Sequence, residues 1–539
     1  MPVVRPDHPG GAQGLAPVKL HRVQGGIRRP DYVDLACYAA AHPGRTASRR
    51  AYRFRGQIDL PIMKVNNIAR ANFSNTTLPL VCIQGLGFVG AAMAAAVARA
   101  RDSHGNPLYN VMGIDLDTPE GVARIGGINE GRFPMPSADS MLLNAVREGH
   151  EAGNLKASVD SSWYSRAKIV VVNVPLDISD IHGSPSIGIE PFRRAMQLLG
   201  KQMQRGSLVI VETTVPPGTC EKVVVPILAD ALTERGLPPD SIHVAHSYER
   251  VMPGSEHLNS IVNFWRVYSG TTIAAAEMCE EFLSTIINTK EFPLARLQGT
   301  TASEIGKVLE NSYRAVTIAF MEEWGRFAES VNVDLFEVID AIRVRPTHSN
   351  MRQPGFGVGG YCLTKDPLFA YLSAKQLFDL SSLDFPFCML AIEVNRRMPL
   401  VSLDQVEKLL GGSLKGKRIL LLGISYRQDV GDTRFSPSEV FVAEATKREA
   451  EVLAHDPMVQ QWPETRARMV YGMPDPDVDA VVFAVPHQEY RSWDLERWLG
   501  SRRPVIFDAN RVLTRSQLES LSRIGCQVGS IGRGTSFNV

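Results

Sequence analysis

The stretch from Leu80 to Ala98, LVCIQGLGFVGAAMAAAVA, leaves this chain few ways to fold. LVCIQ has the length and apolar content of a buried strand. It passes directly into Gly85-Leu86-Gly87-Phe88-Val89-Gly90, and an alanine-rich run without proline follows as a helix. Three glycines at this spacing carry meaning only in the order strand, tight turn, helix, and that order is present. Gly85 permits the turn, Gly87 lets a pyrophosphate approach N–H groups at the helix N-terminus, and Gly90 lets helix pack on strand. Phe88 and Val89 complete this cofactor-binding turn. The next strand, in YNVMGIDLD, ends at Asp115, with Asp117 two residues on. An acid there would bond a ribose hydroxyl and disfavour a 2′-phosphate, so NAD is expected rather than NADP. The loop RDSHGNPLYN makes the spacing from glycines to acid somewhat long.

The alternation continues through KIVVVNVP and SLVIVETTVPPG. It predicts a parallel sheet with helices on both faces. From about residue 301 to 344 the pattern turns helical. A second strand-rich series follows in KRILLLGISY, EVLAHDP, DAVVFAVP and PVIFDANRV; it carries Gly423 without the full fingerprint and could hold another phosphate ligand. The expected class is α/β. An N-terminal Rossmann NAD domain would span 77–290, a central helical segment 291–402 and a Rossmann-like domain 403–539, with a loose linker near 400.

At 539 residues the chain is too long for one core. Its net charge of +1 implies no general attraction to nucleic acid or to an anionic membrane. No apolar run reaches membrane-spanning length. The seven cysteines are scattered and contain no C-x-x-C pair. That argues against a disulfide framework or a zinc site, so no metal is expected, and it favours a reducing cytoplasm. Residues 1–76 are rich in Arg, Gly, Pro and Ala, with Asp7, Asp31, Asp34 and Asp59 the only acids. They read as a disordered basic extension, or as an over-long reading of the gene, since Met63 begins an ordinary start.

The second informative stretch is GFGVGGYCLTKDP, residues 355–367. Cys362 follows four glycines and precedes Lys365 and Asp366. A cysteine in a loop that a ligand can approach, with a cation nearby, could be a thiolate nucleophile. The alternative is a small hydrophobe buried in a turn.

With these motifs in view, the chain from about residue 80 onward resembles the UDP-sugar 6-dehydrogenases, the UDP-glucose and UDP-N-acetylhexosamine dehydrogenases. The likeness rests on GLGFVG and the Cys362 loop, on TTVPPGT (213–219), ERVMPG (249–254) and SEIGKVLENSYR (303–314), and on GISYRQDVGDTRFSP (423–437) and HDP (455–457). It implies that the central segment forms a homodimer and that the C-terminal domain holds a UDP-sugar. It also implies oxidation of the sugar C6 alcohol to the carboxylate with two NAD, through a thiohemiacetal and a thioester on Cys362. Lys307 matches a lysine that would stabilise the alkoxide or oxyanion. Asn311, one helical turn on, would donate to the same oxygen. Asp366 matches an acid that helps activate water, Glu249 a glutamate for proton transfer or thioester hydrolysis, and Thr214 a threonine that positions a water. Lys365 and Arg434 have the charge for substrate phosphates, and Arg266 and Gly359 complete the expected substrate-binding set.

Departures from the family pattern accompany the likeness. Leu176-Asp177 stands where Thr-Pro is usual, Tyr248 precedes Glu249 where Pro is usual, Glu-Pro is missing from GRFPMPSADSM, and Thr317 and Glu322 replace asparagines. Together they imply a divergent branch with an altered substrate. The leading expectation is a UDP-N-acetylhexosamine, UDP-ManNAc or UDP-GlcNAc. UDP-glucose stays open as the alternative, GDP-mannose as a more distant one, and a catalytically silent nucleotide-sugar-binding protein as a reading from another class.

Overall fold

The computed structural model describes residues 73–534 apart from 180, 182, 252 and 253. The basic extension read over 1–76 therefore falls almost wholly outside the described residues.

The first sheet contains β1 (Leu80–Gln84), β2 (Asn110–Ile114), β3 (Leu155–Ser158) and β4 (Ile169–Val172). A hairpin of β5 (Asp177–Ser179) and β6 (Ser186–Gly188) then stands apart. The sheet resumes with β7 (Leu208–Val211), β8 (His243–His246), β9 (Val267–Gly270) and β10 (Ala295–Arg296). Its spatial order is β10-β9-β8-β7-β4-β1-β2-β3, parallel except where β8 meets β9. The second sheet holds β11 (Arg418–Leu422), β12 (Glu451–His455), β13 (Arg468–Met469), β14 (Ala480–Phe483), β15 (Val505–Asp508) and β16 (Val528–Ser530). Its order is β13-β12-β11-β14-β15-β16. Both sheets are doubly wound, and in each the strand order reverses beside the first strand. Such reversals open a crevice at the strand C-termini where ligands bind.

The two crevices share a construction. After β1, Gly85 takes φ +90°, and a Cβ there would lie 2.8 Å from Asn173 O beyond β4. After β11, Gly423 takes φ +101°, and a Cβ there would lie 2.4 Å from the Val485 side chain beyond β14. Only glycine takes such a turn without strain. The acid ending the second strand of each sheet holds the turn: Asp115 Oδ2 accepts Leu86 N at 3.0 Å, and Asp456 Oδ2 accepts Ile424 N and Ser425 N at 2.9 Å.

Helix α1 (Phe88–Ala98) is buried almost all round, which its small side chains allow. Between the sheets run α2 (Thr300–Ser330), α3 (Leu335–Arg343), α4 (Pro367–Gln376) and α5 (Pro386–Leu409). The linker expected near residue 400 is instead the interior of α5, which carries Pro399 within it. A proline there removes one backbone donor, but Asn395 Nδ2 ties the same turn to Ala315 O of α2 at 3.0 Å. A rigid helix thus leads into the second sheet, where α6 (Pro437–Lys447) packs against β12.

A Cβ at Gly90 would sit 1.9 Å from Gly85 O, whereas one at Gly87 would meet nothing within 4 Å. Gly90→Ala is expected to cost about 1–3 kcal/mol through overpacking and to abolish the rise in melting temperature that NAD gives the parent. Thermal melts with and without NAD check this.

Candidate active site

Helix α2 turns three polar side chains into the protein: Glu304, Lys307 and Asn311 are all buried on one face. Each reaches a different segment. Glu304 accepts Gly218 N at 2.5 Å and Cys220 N at 2.8 Å, and burial pushes its carboxyl up to about 7. Lys307 Nζ donates to Glu249 O at 2.6 Å and pairs with Glu249 Oε1 at 3.3 Å. Asn311 Nδ2 donates to Asp366 Oδ2 at 2.8 Å. Lys307 and Asn311 thus face one way, but their donors go to two carboxylates rather than to one shared oxygen. Burial opposes the charge on Lys307, the Glu249 and Asp366 carboxylates favour it, and the balance raises its pKa. Tyr248, in place of the usual proline, presents its ring 5.5 Å from Lys307 Nζ. Thr214 is half-buried just beyond β7, while its neighbour Thr213 donates to Val174 O at 2.8 Å.

The glycines before Cys362 answer to packing. A Cβ at Gly359 would lie 2.7 Å from Phe435 O and 2.8 Å from Pro437 and Tyr426. Gly360, at φ +83°, abuts the Tyr426 ring, and Gly357 abuts Pro437 and Pro399. Gly359, expected to bind substrate, is instead where the loop lies flat against residues 426–437 of the second Rossmann-like domain. Cys362 is reached by solvent yet is ringed by protein. Burial and then Asp366 push its thiol up to about 12, and Lys307 and Lys365 only partly oppose them. Burial and Asp366 thus work against the thiolate that a cation three residues on would favour. Lys365 is close in sequence, but it is buried, pairs with Asp366 at 2.8 Å and lies between the Tyr361 and Phe369 rings.

Two further residues of the expected substrate-binding set are also committed within the protein. Arg434 pairs with Asp432 at 2.7 Å while its exposed guanidinium lies 5.6 Å from the Phe88 ring, so it bridges the second domain to the glycine turn. Arg266, expected in the substrate-binding set, is buried, forms an ion pair with Glu212 and donates to Ser247 Oγ at 3.2 Å. Glu212 in turn accepts Asn173 Nδ2 at 2.9 Å, so Arg266 braces the segment facing Gly85 rather than meeting substrate.

The cations left over were not singled out by sequence reasoning. Arg352 and Arg427 line a cleft of about 540 Å³ with Tyr426, Ser425, Gly357 and Val485, at the strand reversal of the second sheet. Arg314, from α2, feels both: after burial, their positive charges lower its pKa. None of the three enters an ion pair among the described residues. Like charges gathered without an ion-paired acid suit a multiply charged anion. Isolated arginines in loops give no local signal; only the fold brings them together.

At the first crevice, α1 begins at Gly87 with no side-chain cap, so its first N–H groups are free for a ligand. Asp115 is bound by Leu86 N, Leu116 N and Arg124, the last at 2.8 Å, and Asp117 is exposed. The open space at Gly87 and the uncapped helix fit a dinucleotide pyrophosphate. Among the described residues, no group of three or more His, Cys, Asp or Glu is placed to hold a metal, and no helix is long and apolar enough to cross a membrane.

The three domain models of the UDP-glucose/GDP-mannose dehydrogenase family match the chain: NAD binding domain over 79–287, central domain over 301–397 and UDP binding domain over 420–515. The chain is 30% identical over 462 residues to a UDP-N-acetyl-D-mannosamine dehydrogenase of Pyrococcus horikoshii, covering 84% of this chain and 99% of that one. It is 27% identical over 449 residues to a UDP-N-acetyl-D-glucosamine 6-dehydrogenase of Salmonella typhi, covering 81% and 97%. A solved UDP-D-ManNAc dehydrogenase structure from Pyrococcus horikoshii superposes with a TM-score of 0.71 at 27% identity, covering 85% of this chain and 100% of that one.

A raised thiol pKa makes a clear demand on reactivity. Alkylation of Cys362 by iodoacetamide, followed by mass spectrometry of its peptide, is expected to accelerate about tenfold per pH unit from about pH 7 to 10 without levelling. A plateau below pH 8 would instead reveal a thiolate.

Proposed function

The chain belongs to the UDP-glucose/GDP-mannose dehydrogenase family, and within it we propose a UDP-N-acetylhexosamine 6-dehydrogenase that works through Cys362. It is an NAD-dependent oxidoreductase acting on a UDP-sugar. Relatives named for UDP-N-acetyl-D-mannosamine and UDP-N-acetyl-D-glucosamine support the choice of sugar. The observation that carries the mechanism is one of placement. A solvent-reached cysteine lies between the Lys307–Glu249 and Asn311–Asp366 pairs, and its loop borders a cleft with unpaired guanidinium groups.

NAD would be held by Gly85, Gly87, Phe88, Val89 and Gly90 at the α1 N-terminus, with Asp115 behind the turn, and two NAD bound in turn would each accept one hydride. The chain supplies the rest. Arg352, Arg427 and Arg314 take the diphosphate, and Tyr426 and Gly357 shape the cleft around the nucleotide. Lys307, kept charged by Glu249, stabilises oxygen charge as the C6 alcohol loses its proton. Cys362 Sγ bonds to C6 of the aldehyde, and the thiol proton passes by way of a neighbouring carboxylate to the oxygen that was the carbonyl. Oxidation of that thiohemiacetal gives a thioester. A water positioned by Thr214 and activated by Glu249 or Asp366 then displaces Sγ, releasing the carboxylate. The raised thiol pKa favours loss of its proton during addition rather than before it.

We also infer a cytoplasmic homodimer. Six cysteines of the described chain are free. The outer face of α2 exposes Leu309, Tyr313, Phe320, Trp324 and Phe327 on one stripe, beside Phe387 and Leu390 of α5. An apolar stripe of this kind marks an interaction surface.

The first test is NADH release at 340 nm with UDP-ManNAc, UDP-GlcNAc and UDP-glucose in parallel. Two NADH per molecule of one N-acetylated sugar is expected. Turnover of UDP-glucose alone would reassign the substrate, and binding without turnover would make the protein a silent binder. Cys362→Ser is expected to end acid formation while leaving NAD affinity unchanged, and Arg427→Ala to raise KM for the UDP-sugar about tenfold. Sedimentation should show a dimer that Trp324→Glu converts to monomer.

A further inference from the structure

Away from the thiol, the densest group of buried titratable side chains lies beneath the cleft loop that follows Gly423. His487 is fully buried there. Its Nε2 lies 3.0 Å from Asp456 Oδ2 and 3.0 Å from Ser425 Oγ. Its Nδ1 lies 3.0 Å from Asp429 N and 3.3 Å from Asp429 Oδ1. The partners are themselves fixed. Asp456 Oδ2 accepts Ile424 N and Ser425 N, Ser425 Oγ donates to Arg427 O at 3.0 Å, and Asp429 Oδ1 accepts Gln488 N at 3.2 Å. One imidazole therefore grips both ends of the segment 424–429. Between its grips lie Tyr426, Arg427 and Gln428, all lining the cleft.

We propose that His487 is a positioning residue for the nucleotide sugar: by holding Asp456 and Ser425 at one end of the loop and Asp429 at the other, it fixes Tyr426 and Arg427 in the cleft. The proposal rests on the reading of this cleft as the UDP-sugar site.

The geometry at Nδ1 adds a second element. The ring nitrogen faces a donor and an acceptor from one residue and can satisfy only one. A protonated imidazole donates Nδ1–H to the Asp429 carboxylate and Nε2–H to Asp456. A neutral ring keeps its Nε2–H for Asp456 and turns a lone pair to Asp429 N–H, repelling that carboxylate. The other groups facing the ring are His455 of β12 and the edge-on Tyr490 ring, 5.6 Å away. Burial opposes protonation, but Asp456 and Asp429 outweigh it and raise the His487 pKa above the ordinary imidazole value. A raised folded pKa means that the contact with the Asp429 carboxylate is complete below the ordinary value and, as pH rises through the folded one, gives way to the Asp429 N–H contact alone. Asp429 takes φ +54°, which asparagine tolerates as well as aspartate. Asp429→Asn therefore removes the charge without straining the turn.

The test is calorimetric titration of the full chain with UDP, paired with KM for NAD and thermal melting. His487→Ala is expected to weaken UDP binding about tenfold with KM for NAD unchanged within about twofold. His487→Gln places an amide near the Nε2 position and should recover most of the loss. Asp429→Asn, with its exposed side chain, should fold even if His487→Ala does not; it is expected to weaken UDP binding about threefold at acid pH and to flatten its dependence on pH. Variants that fold and bind UDP as the parent does would overturn the proposal, as would equal losses of UDP and NAD affinity, which signal general destabilisation. A parent that does not bind UDP at all would bring down the reading of the cleft itself.

Discussion

The structure depends on the buried polar face of one helix. α2 places Glu304, Lys307 and Asn311 inward and holds with them three segments far apart in sequence: the loop at 218–220, Glu249 and Asp366. Removing one partner of a buried, hydrogen-bonded charge pair costs about 3–5 kcal/mol, because the other charge is left without compensation. That cost applies to the Lys307–Glu249 pair and holds the Glu249 segment against the helix. The usual amphipathic order is inverted: ionic groups line the inner face, and Leu309, Tyr313, Phe320, Trp324 and Phe327 face outward. The inner arrangement is the requirement of a site, and the outer one that of a covered surface.

The two doubly wound sheets solve one problem twice. A left-handed glycine leaves the first strand, and an acid from the second strand's end clasps the turn. After β1 the chain enters α1 at once, leaving bare N–H groups for a pyrophosphate. After β11 it first makes a long loop, and α6 begins only at Pro437, capped by its own Ser436. Charge in that crevice comes from arginine side chains instead of from a helix terminus. The same plan thus yields two anion sites of different chemistry.

Much of this was legible in the sequence. Strand periodicity, the glycine turn and the helical stretch after residue 300 are local signals, and the structure carries strands and helices at those places. The Cys362 loop was legible as a motif, and Lys307, Asn311, Asp366 and Glu249 do converge around it. What escaped was decided by neighbours distant in sequence. Lys365 and Arg434 carry charge, but Asp366 and Asp432 occupy it. Arg266 stands in a suggestive motif, yet Glu212 draws it into the core. Gly359 suggests ligand approach but answers to Phe435 and Pro437. Pro399 reads as a break, yet α5 runs through it because Asn395 secures the turn. Arg314, Arg352 and Arg427 are scattered over more than a hundred residues, and no spacing rule could join them. His487 looks like an ordinary core histidine until its partners Asp456, Ser425 and Asp429 are seen to bracket one loop.

The contact of residues 357–360 with residues 426–437 makes one wall from two parts of the chain. The loop bearing Cys362 is pressed against the UDP-binding domain, with glycines where any side chain would collide. This bears on how such a protein can change by recombination. Its C-terminal domain is not a cassette that can be exchanged to alter the nucleotide recognised. A grafted domain would have to bring matching surfaces at Tyr426, Phe435 and Pro437, or carry the cysteine loop along. Specificity and reactivity are therefore inherited as a unit.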